Sequence, residues 1–383
     1  MLNFNRLIKR IPQEIKYIFS LFLVTRLSLT IIGVISRLLL EPYRPKYYEQ
    51  VYPKQLWLNI WVNWDSGWYL RIASFDWYSQ IAGIDGRKGS FAFFPLYPLL
   101  IRSIGFILHN NVITAVLISN LALLIACIFL YKLVKFDFET DTALRSVRYL
   151  LLFPSAFIFS GVFNESLYLA LILACFYYAK KNQFLCASLL GFFMSLTKPQ
   201  GVIIIFPLLY IYLKNKEFSF SKIKVNIMYL ILIPLGSILF IFYAYHLTGD
   251  WFKGAHVAAE IWGFKIHNPI RNIATGLLYT RDVNMLFPTY FSIIMFLILL
   301  ISYKKVEFSY WLFGAMQFLL SFSYGPSATL NCLLRHILPI FVLYIIFARI
   351  KKDGYLDLFT TVSFALLQGF LMVFWCNGFS III

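Results

Sequence analysis

Apolar runs of roughly 17–25 residues, the length that crosses a bilayer's hydrocarbon core as a helix, recur from one end of this chain to the other. No soluble core absorbs that many. Of the 383 residues 60% are hydrophobic and only 13% are charged, too few charges to keep a folded surface dissolved. The period-two alternation of a membrane β-barrel is missing from the runs. The expected fold class is an all-α polytopic membrane protein, with residues 1–383 forming a single multi-pass domain.

A formal charge of +17 would suit a nucleic-acid partner. The basic residues are instead dealt out in small groups between the apolar runs, which is how a membrane protein fixes its orientation, and no nucleic-acid partner is expected. Five cysteines (Cys127, Cys175, Cys186, Cys332, Cys376) show neither pairing nor CxxC spacing and read as small core residues. The basic N-terminus (Arg6, Lys9, Arg10, Lys16) leads into an apolar stretch of about 24 residues, longer than the core of a cleaved signal peptide and so read as the first span.

Hydropathy places spans near 17–40, 111–134, 146–163, 166–180, 184–198, 201–213, 225–246, 287–303, 308–323, 334–349 and 355–376. The stretch 91–108, "FAFFPLYPLLIRSIGFIL", holds two prolines and Arg102, and charge decides its role. If it does not cross, segments 1–16, 132–148, 180–183, 214–224, 304–307 and 349–354 share the cytoplasmic side and hold 19 of the 34 Lys and Arg residues. If it crosses, every later basic cluster faces outward. The positive-inside rule favours about 11 transmembrane helices and a non-crossing 91–108. Two long external loops follow, 41–110 and 247–286. Both are rich in aromatic residues, and loops of that length in a compact protein are usually functional.

In the first loop Trp57, Trp61, Trp64 and Trp68 are spaced 4, 3, 4, which on a continuous helix forms one face suited to the headgroup region. Asp65 would sit about 70° from the centre of that stripe, at the water–lipid boundary. Alternatively it caps a new helix starting at Ser66. Four further punctuations share its side in this topology: "FFPLYP" (93–98), "FNES" (163–166), "TKPQG" (197–201) and "NCLLRH" (331–336). Ionisable groups at the mouth of an apolar bundle are costly and often functional. Glu165 is either functional or part of a helix cap shared with Asn164 and Ser166. Lys198 either acts in a site or snorkels to the interface. Arg335, His336 and Arg71 are candidate anion-binding groups. The histidines lack HExxH-type spacing, and there is no Walker A loop, GxSxG or GxGxxG, so neither a metal nor a cofactor is expected.

"NWDSGWYLRIA", "FAFFPLYPLL", "FNESLYLAL" and "SLTKPQGV", in that order over about residues 17–210, resemble the glycosylphosphatidylinositol mannosyltransferase II family and its prokaryotic relatives. Farther on, "LLRHILPIFVLY" (333–344) is similar to the family's late Arg-containing helix start. The resemblance implies a superfamily C (GT-C) glycosyltransferase with interfacial helices in its first loop. It further implies an inverting transfer from a polyprenyl-phosphate-linked sugar, typically mannose, to a lipid- or glycan-linked acceptor. By position Asp65 matches the family's first-loop acid, while Glu165, Lys198 and the aromatics Phe94 and Tyr97 match its other motifs. The family commonly has Arg where this chain has Lys198, which keeps the charge but loses a bidentate grip on phosphate.

The chemistry of such a donor asks for a groove between helices, an aromatic platform, cations for the phosphate and one base. Asp65 would take the acceptor's proton. Arg71, Lys198, Arg335 and His336 would steady the leaving phosphate. Trp64, Trp68, Phe94, Tyr97, Asn164, Glu165 and Gln200 complete the expected substrate contacts. A secondary transporter or lipid flippase is the competing class, but its midplane charges and repeat symmetry are not visible here. The expected location is a prokaryotic cytoplasmic membrane with the site facing outward, the alternative being the endoplasmic reticulum with the site facing the lumen.

Overall fold

The computed structural model describes residues 12–41, 54–74, 78, 88–279, 283–326, 330, 332–352 and 354–379. Among these the chain is almost wholly helical. The helices α1 Gln13–Leu39, α2 Leu56–Asn59, α3 Ser66–Ser74, α4 Leu96–Leu108, α5 Asn111–Val134, α6 Thr140–Leu152, α7 Glu165–Lys180, α8 Phe184–Ser195 and α9 Ile205–Asn215 make up the first half. The second half holds α10 Leu232–Thr248, α11 Lys253–Trp262, α12 Pro269–Tyr279, α13 Val283–Ile301, α14 Phe308–Ser323, α15 Leu333–His336, α16 Val342–Ala348 and α17 Tyr355–Cys376. Among the described residues four helical segments are long and apolar enough to cross a membrane: Gln13–Leu39, Asn111–Val134, Val225–Thr248 and Tyr355–Cys376. The chain is an integral, multi-pass membrane protein.

Helix α5 shows how the sequence builds such a segment. Asn110 ends the preceding turn in extended backbone, and its side-chain oxygen accepts from the amides of Val112 and Ile113 at 3.0 Å each, satisfying donors that a helix start leaves open. One face, with Ala115, Ile118, Ala122 and Ala126, is buried; another, with Ile113, Leu117, Leu121 and Ile125, is exposed and apolar. An apolar face left open on a helix of this length is a face for lipid.

The runs 146–163 and 334–349, expected as spans, are not single helices. Pro154 ends α6 at Leu152 and holds Phe153 in extended backbone, because proline lacks an N–H and crowds the residue before it. A 3-10 turn, Ala156–Ser160, follows. Pro339 likewise separates α15 from α16. Both breaks are buried in protein, the setting in which irregular backbone is tolerated at membrane depth. Their freed carbonyls find donors. Arg26 of α1 donates to Leu151 O and Ala156 O, both at 3.0 Å; Gln368 of α17 donates to Leu151 O (2.9 Å) and Phe153 O (3.1 Å); Ser155 Oγ donates to Leu334 O at 2.9 Å.

The four-tryptophan stripe is also interrupted. Helix α2 stops at Asn59, and Trp64 adopts left-handed backbone (φ 51°), so Trp57, Trp61, Trp64 and Trp68 do not lie on one helix. The intervening carbonyls serve other elements: Ile60 O accepts from Trp375 Nε1 (3.1 Å) and Trp61 O from the Val162 amide (3.0 Å). Trp61 is buried while Trp57 is exposed. In the stretch 91–108, α4 has 13 residues, about 20 Å of rise and less than a hydrocarbon core. A two-strand antiparallel pair, Phe264–Ile266 with Tyr324–Pro326, ties the 247–286 loop to the segment before α15. Cys127, Cys175, Cys186 and Cys332 are free thiols.

Candidate functional site

The new helix start at Ser66 puts Asp65 at its mouth, where the Asp65 carbonyl accepts from the Trp68 amide at 2.9 Å. The carboxylate does something else: Oδ2 receives Arg335 Nη1 in an ion pair. Arg335 also donates through Nε to Glu165 Oε1. That same oxygen accepts from Lys198 Nζ at 2.8 Å. Asp65, Arg335, Glu165 and Lys198 thus form one chain of alternating charge, drawn from segments as far as 270 residues apart.

The elements supply the geometry. Glu165 is the first residue of α7, so its carboxylate stands at the positive end of that helix. Asn164 does not cap α7 with its side chain; its Nδ2 donates to Thr197 O at 2.8 Å, tying the "FNES" turn to the one that carries Lys198. Pro199 opens the following 3-10 turn and leaves Lys198 extended. Lys198 does not snorkel to an interface but turns inward to Glu165. Arg335 lies in α15, the single turn that Pro339 cuts short.

Aromatic rings surround the charges. The Arg335 guanidinium lies 4.5 Å from the centre of the Phe163 ring, and Lys198 Nζ lies 5.6 Å from that of Tyr168. Tyr69 packs edge-on against Tyr97 at 5.2 Å and Phe163 at 6.3 Å. Phe163, Tyr168 and Tyr69 were not singled out in the sequence, although each stands within four residues of a selected charge.

Burial grades the cluster. The Glu165 side chain is 0% exposed, Arg335 9%, Lys198 15% and Asp65 23%. Two positive and two negative groups balance, which buried charges require. Satisfaction is incomplete on the acidic side: Glu165 Oε2, Asn164 Oδ1 and Gln200 Oε1 are buried acceptors without a partner, and Trp64 Nε1 is a buried donor without one. The left-handed Trp64, next to Asp65, is held in a conformation that costs a non-glycine residue of order 1–3 kcal/mol and that clusters at functional sites.

Other expected residues stand farther out or serve as walls. His336 is half-buried and within electrostatic reach of Lys198, Arg335 and Glu165. Arg71 is not in the ionic chain and lies over the Trp68 ring at 5.6 Å. Trp68 in turn stacks on Phe93 at 5.8 Å and meets Trp262 of α11 edge-on at 5.7 Å. Phe94 packs on Phe240 of α10 at 4.8 Å. Tyr97 is buried with its hydroxyl 2.7 Å from Ser119 Oγ and 3.1 Å from Ala115 O. Among the described residues no three His, Cys, Asp or Glu side chains gather as a metal site.

Fold and site together define a polytopic membrane protein with a neutral ionic chain set among aromatic rings. Residues 94–246 match the family described as dolichyl-phosphate-mannose-protein mannosyltransferase. That stretch contains Asn164, Glu165, Lys198 and Gln200 and leaves Asp65 and Arg335 outside it. No curated protein matches the chain. Among solved structures it is similar to the Archaeoglobus fulgidus oligosaccharyltransferase in the apo form, at 13% identity and TM-score 0.46 over 94% of this chain and 56% of that one. The same enzyme tethered with an acceptor peptide gives 12% identity and TM-score 0.45 over 94% and 55%. The chain spans about half the length of these structures.

Proposed function

We propose that this protein is a GT-C membrane glycosyltransferase that moves a hexose, mannose in the first instance, from a polyprenyl-phosphate carrier to a hydroxyl of a lipid- or glycan-linked acceptor. The transfer takes place on the non-cytoplasmic face and inverts the anomeric centre. The motif resemblance to the glycosylphosphatidylinositol mannosyltransferase II family and the match over 94–246 support the donor class. The observation that carries the reading is the graded ionic chain: one acid sealed, one acid reachable, and a single arginine between them.

The grading assigns roles. Glu165, sealed and held by Lys198, orients Arg335 and is a positioning residue. Asp65 is the reachable carboxylate. Arg335 Nη2 has no partner among the described residues, so the guanidinium keeps an edge for the donor phosphate. As the phosphate engages that edge it competes with Asp65 for Arg335, and the freed carboxylate turns to the acceptor hydroxyl. The acceptor oxygen attacks the anomeric carbon as the bond from that carbon to the phosphate oxygen breaks. The hydroxyl proton passes to Asp65, and the polyprenyl phosphate leaves with its charge met by Arg335 and Lys198.

The test is Asp65→Asn in the purified protein, reconstituted in vesicles with a polyprenyl-phosphate mannose donor. Losing a general base costs about 10²–10⁴ in rate. The variant is expected to fold, retain the donor and transfer at least about a hundredfold more slowly. Near-normal transfer would falsify the base assignment. Replacing the donor by its glucose counterpart tests the mannose assignment separately: equal rates with both sugars would remove it.

A further inference from the structure

Helix α7 begins in the ionic chain and ends, about 22 Å away at Lys180, beside a different arrangement of charge and rings. There α5 and α7 border an open cavity of about 300 Å³, lined by Tyr131, Lys132, Lys135, Phe136 and Tyr177. Its cations rest on its rings. Lys132 Nζ lies 5.9 Å from the Phe129 ring centre and 6.0 Å from that of Tyr177, Lys135 lies 5.5 Å from Tyr131, and Lys181 lies 4.8 Å from Tyr177. The neighbouring Lys180 is neutralised by Asp137 at 2.7 Å. Lys132 and Lys135 line the cavity and Lys181 stands over the Tyr177 ring at its border, and none of the three has a carboxylate partner among the described residues.

The exposed face of α5 says what comes with the anion. Ile113, Leu117, Leu121 and Ile125 lie 39–50% exposed at four-residue spacing, a lane that drifts about 40° per step around the helix. Nineteen residues after Ile113, Lys132 falls between the directions of Leu121 and Ile125, and Lys135 falls on that of Leu117. The apolar lane therefore ends in two lysines. From Ile113 to Lys132 the rise is about 28 Å, close to the thickness of a hydrocarbon core. The acyl chains of one leaflet, about half that thickness, cover the end of the lane next to the lysines, and a phosphate fits its end.

We infer that this cavity binds the headgroup phosphate of an anionic phospholipid whose acyl chains lie along the exposed lane of α5. The ammonium groups supply charge, the rings hold them in place, and Phe136 and Tyr177 flank the glycerol region. A zwitterionic lipid carries its own cation and gains little there. The site is separate from the ionic chain and does not depend on the reaction proposed for it.

The test is native mass spectrometry of the full chain in detergent, titrated with dioleoyl-phosphatidylglycerol or dioleoyl-phosphatidylcholine. The wild type is expected to retain phosphatidylglycerol at least about tenfold better, and K132Q/K135Q/K181Q to lose that preference. A second triple variant, K224Q/K304Q/K305Q, removes the same charge elsewhere and is expected to keep it. Equal retention of both lipids by the wild type overturns the inference, as does an equal loss in both triple variants. Displacement of the lipid by millimolar inorganic phosphate also overturns it, because the cavity then reads phosphate alone. Should the first triple variant fail to fold, Lys135→Glu, a reversal at one exposed position, makes the same comparison.

Discussion

Two of the ionic networks among the described residues are built in opposite senses. In one, a single arginine, Arg335, serves two carboxylates, Asp65 and Glu165. In the other, a single carboxylate serves several donors. Asp357 Oδ1 receives Arg145 at 2.7 Å, Arg148 at 2.6 Å and the Tyr149 hydroxyl at 2.6 Å. Asp357 stands in the first turn of α17, whose other end, at Trp375, packs against Phe163 of the first network. The leftover bonding capacity is weighted differently, since the first network keeps buried acceptors beside one buried donor, Trp64 Nε1, and the second keeps donors. Around Asp357 the unpartnered buried atoms are Arg145 Nε and Arg148 Nε; around Arg335 the leftover acceptors are Glu165 Oε2, Asn164 Oδ1 and Gln200 Oε1. The second network also clamps backbone, through Arg145 Nη2, which donates to Ile350 O at 2.7 Å. Spare acceptors suit hydroxyl groups, of which a sugar has many.

If that contrast separates chemistry from architecture, the largest effect belongs to the shared cation. Arg335→Ala leaves two acids facing each other with only Lys198 between them. A loss of about 3–5 kcal/mol in stability and of all measurable transfer is expected, read by thermal melting and by the vesicle assay. Next comes Asp357→Asn, which strands two arginines. Its melting point should fall by an amount corresponding to about 3 kcal/mol, with turnover per folded molecule within about twofold of wild type. If it slows turnover as much as Asp65→Asn does, the two networks do not divide the work. Lys198→Ala sharpens the comparison within the site: about a tenfold poorer kcat/KM for the donor, with Lys198→Arg keeping most activity, since it retains the charge that holds Glu165 and meets the leaving phosphate. Mild effects from both would make Lys198 dispensable both to the orientation of Arg335 and to the leaving phosphate. The smallest perturbation reports on sidedness: cysteines placed at Asn110 and Ser221 should label from opposite faces of the membrane. Labelling from one face removes the outward placement of Asp65.

Helix positions were legible where a run is apolar and free of proline. The expected 308–323 and 355–376 coincide with α14 and α17, and 111–134 with α5. Runs holding Pro154 or Pro339 read the same to a hydropathy window, which averages side chains and does not see a missing N–H. The tryptophan spacing misled for a related reason, because angular arithmetic assumes uniform backbone and Trp64 leaves it at φ 51°. The charged members of the site stood out because ionisable groups are rare in so apolar a chain. Their pairing did not, since nothing local links Arg335 to an acid 270 positions earlier. The rings under the cations were hidden by abundance: with 40 Phe and 25 Tyr, an aromatic neighbour carries little information.

The separation of the paired residues along the chain also has a consequence for biogenesis. During synthesis at about 5–20 residues per second, Lys198 follows Glu165 by 33 residues, or roughly 2–7 s. Arg335 follows Glu165 by 170 residues, or roughly 9–34 s. The nascent protein thus integrates α7 with an acid whose first counter-ion arrives early and whose second arrives 170 residues after it. During that interval Lys198 alone balances the charge of Glu165, so the buried acid is followed closely by a counter-ion long before Arg335 is made.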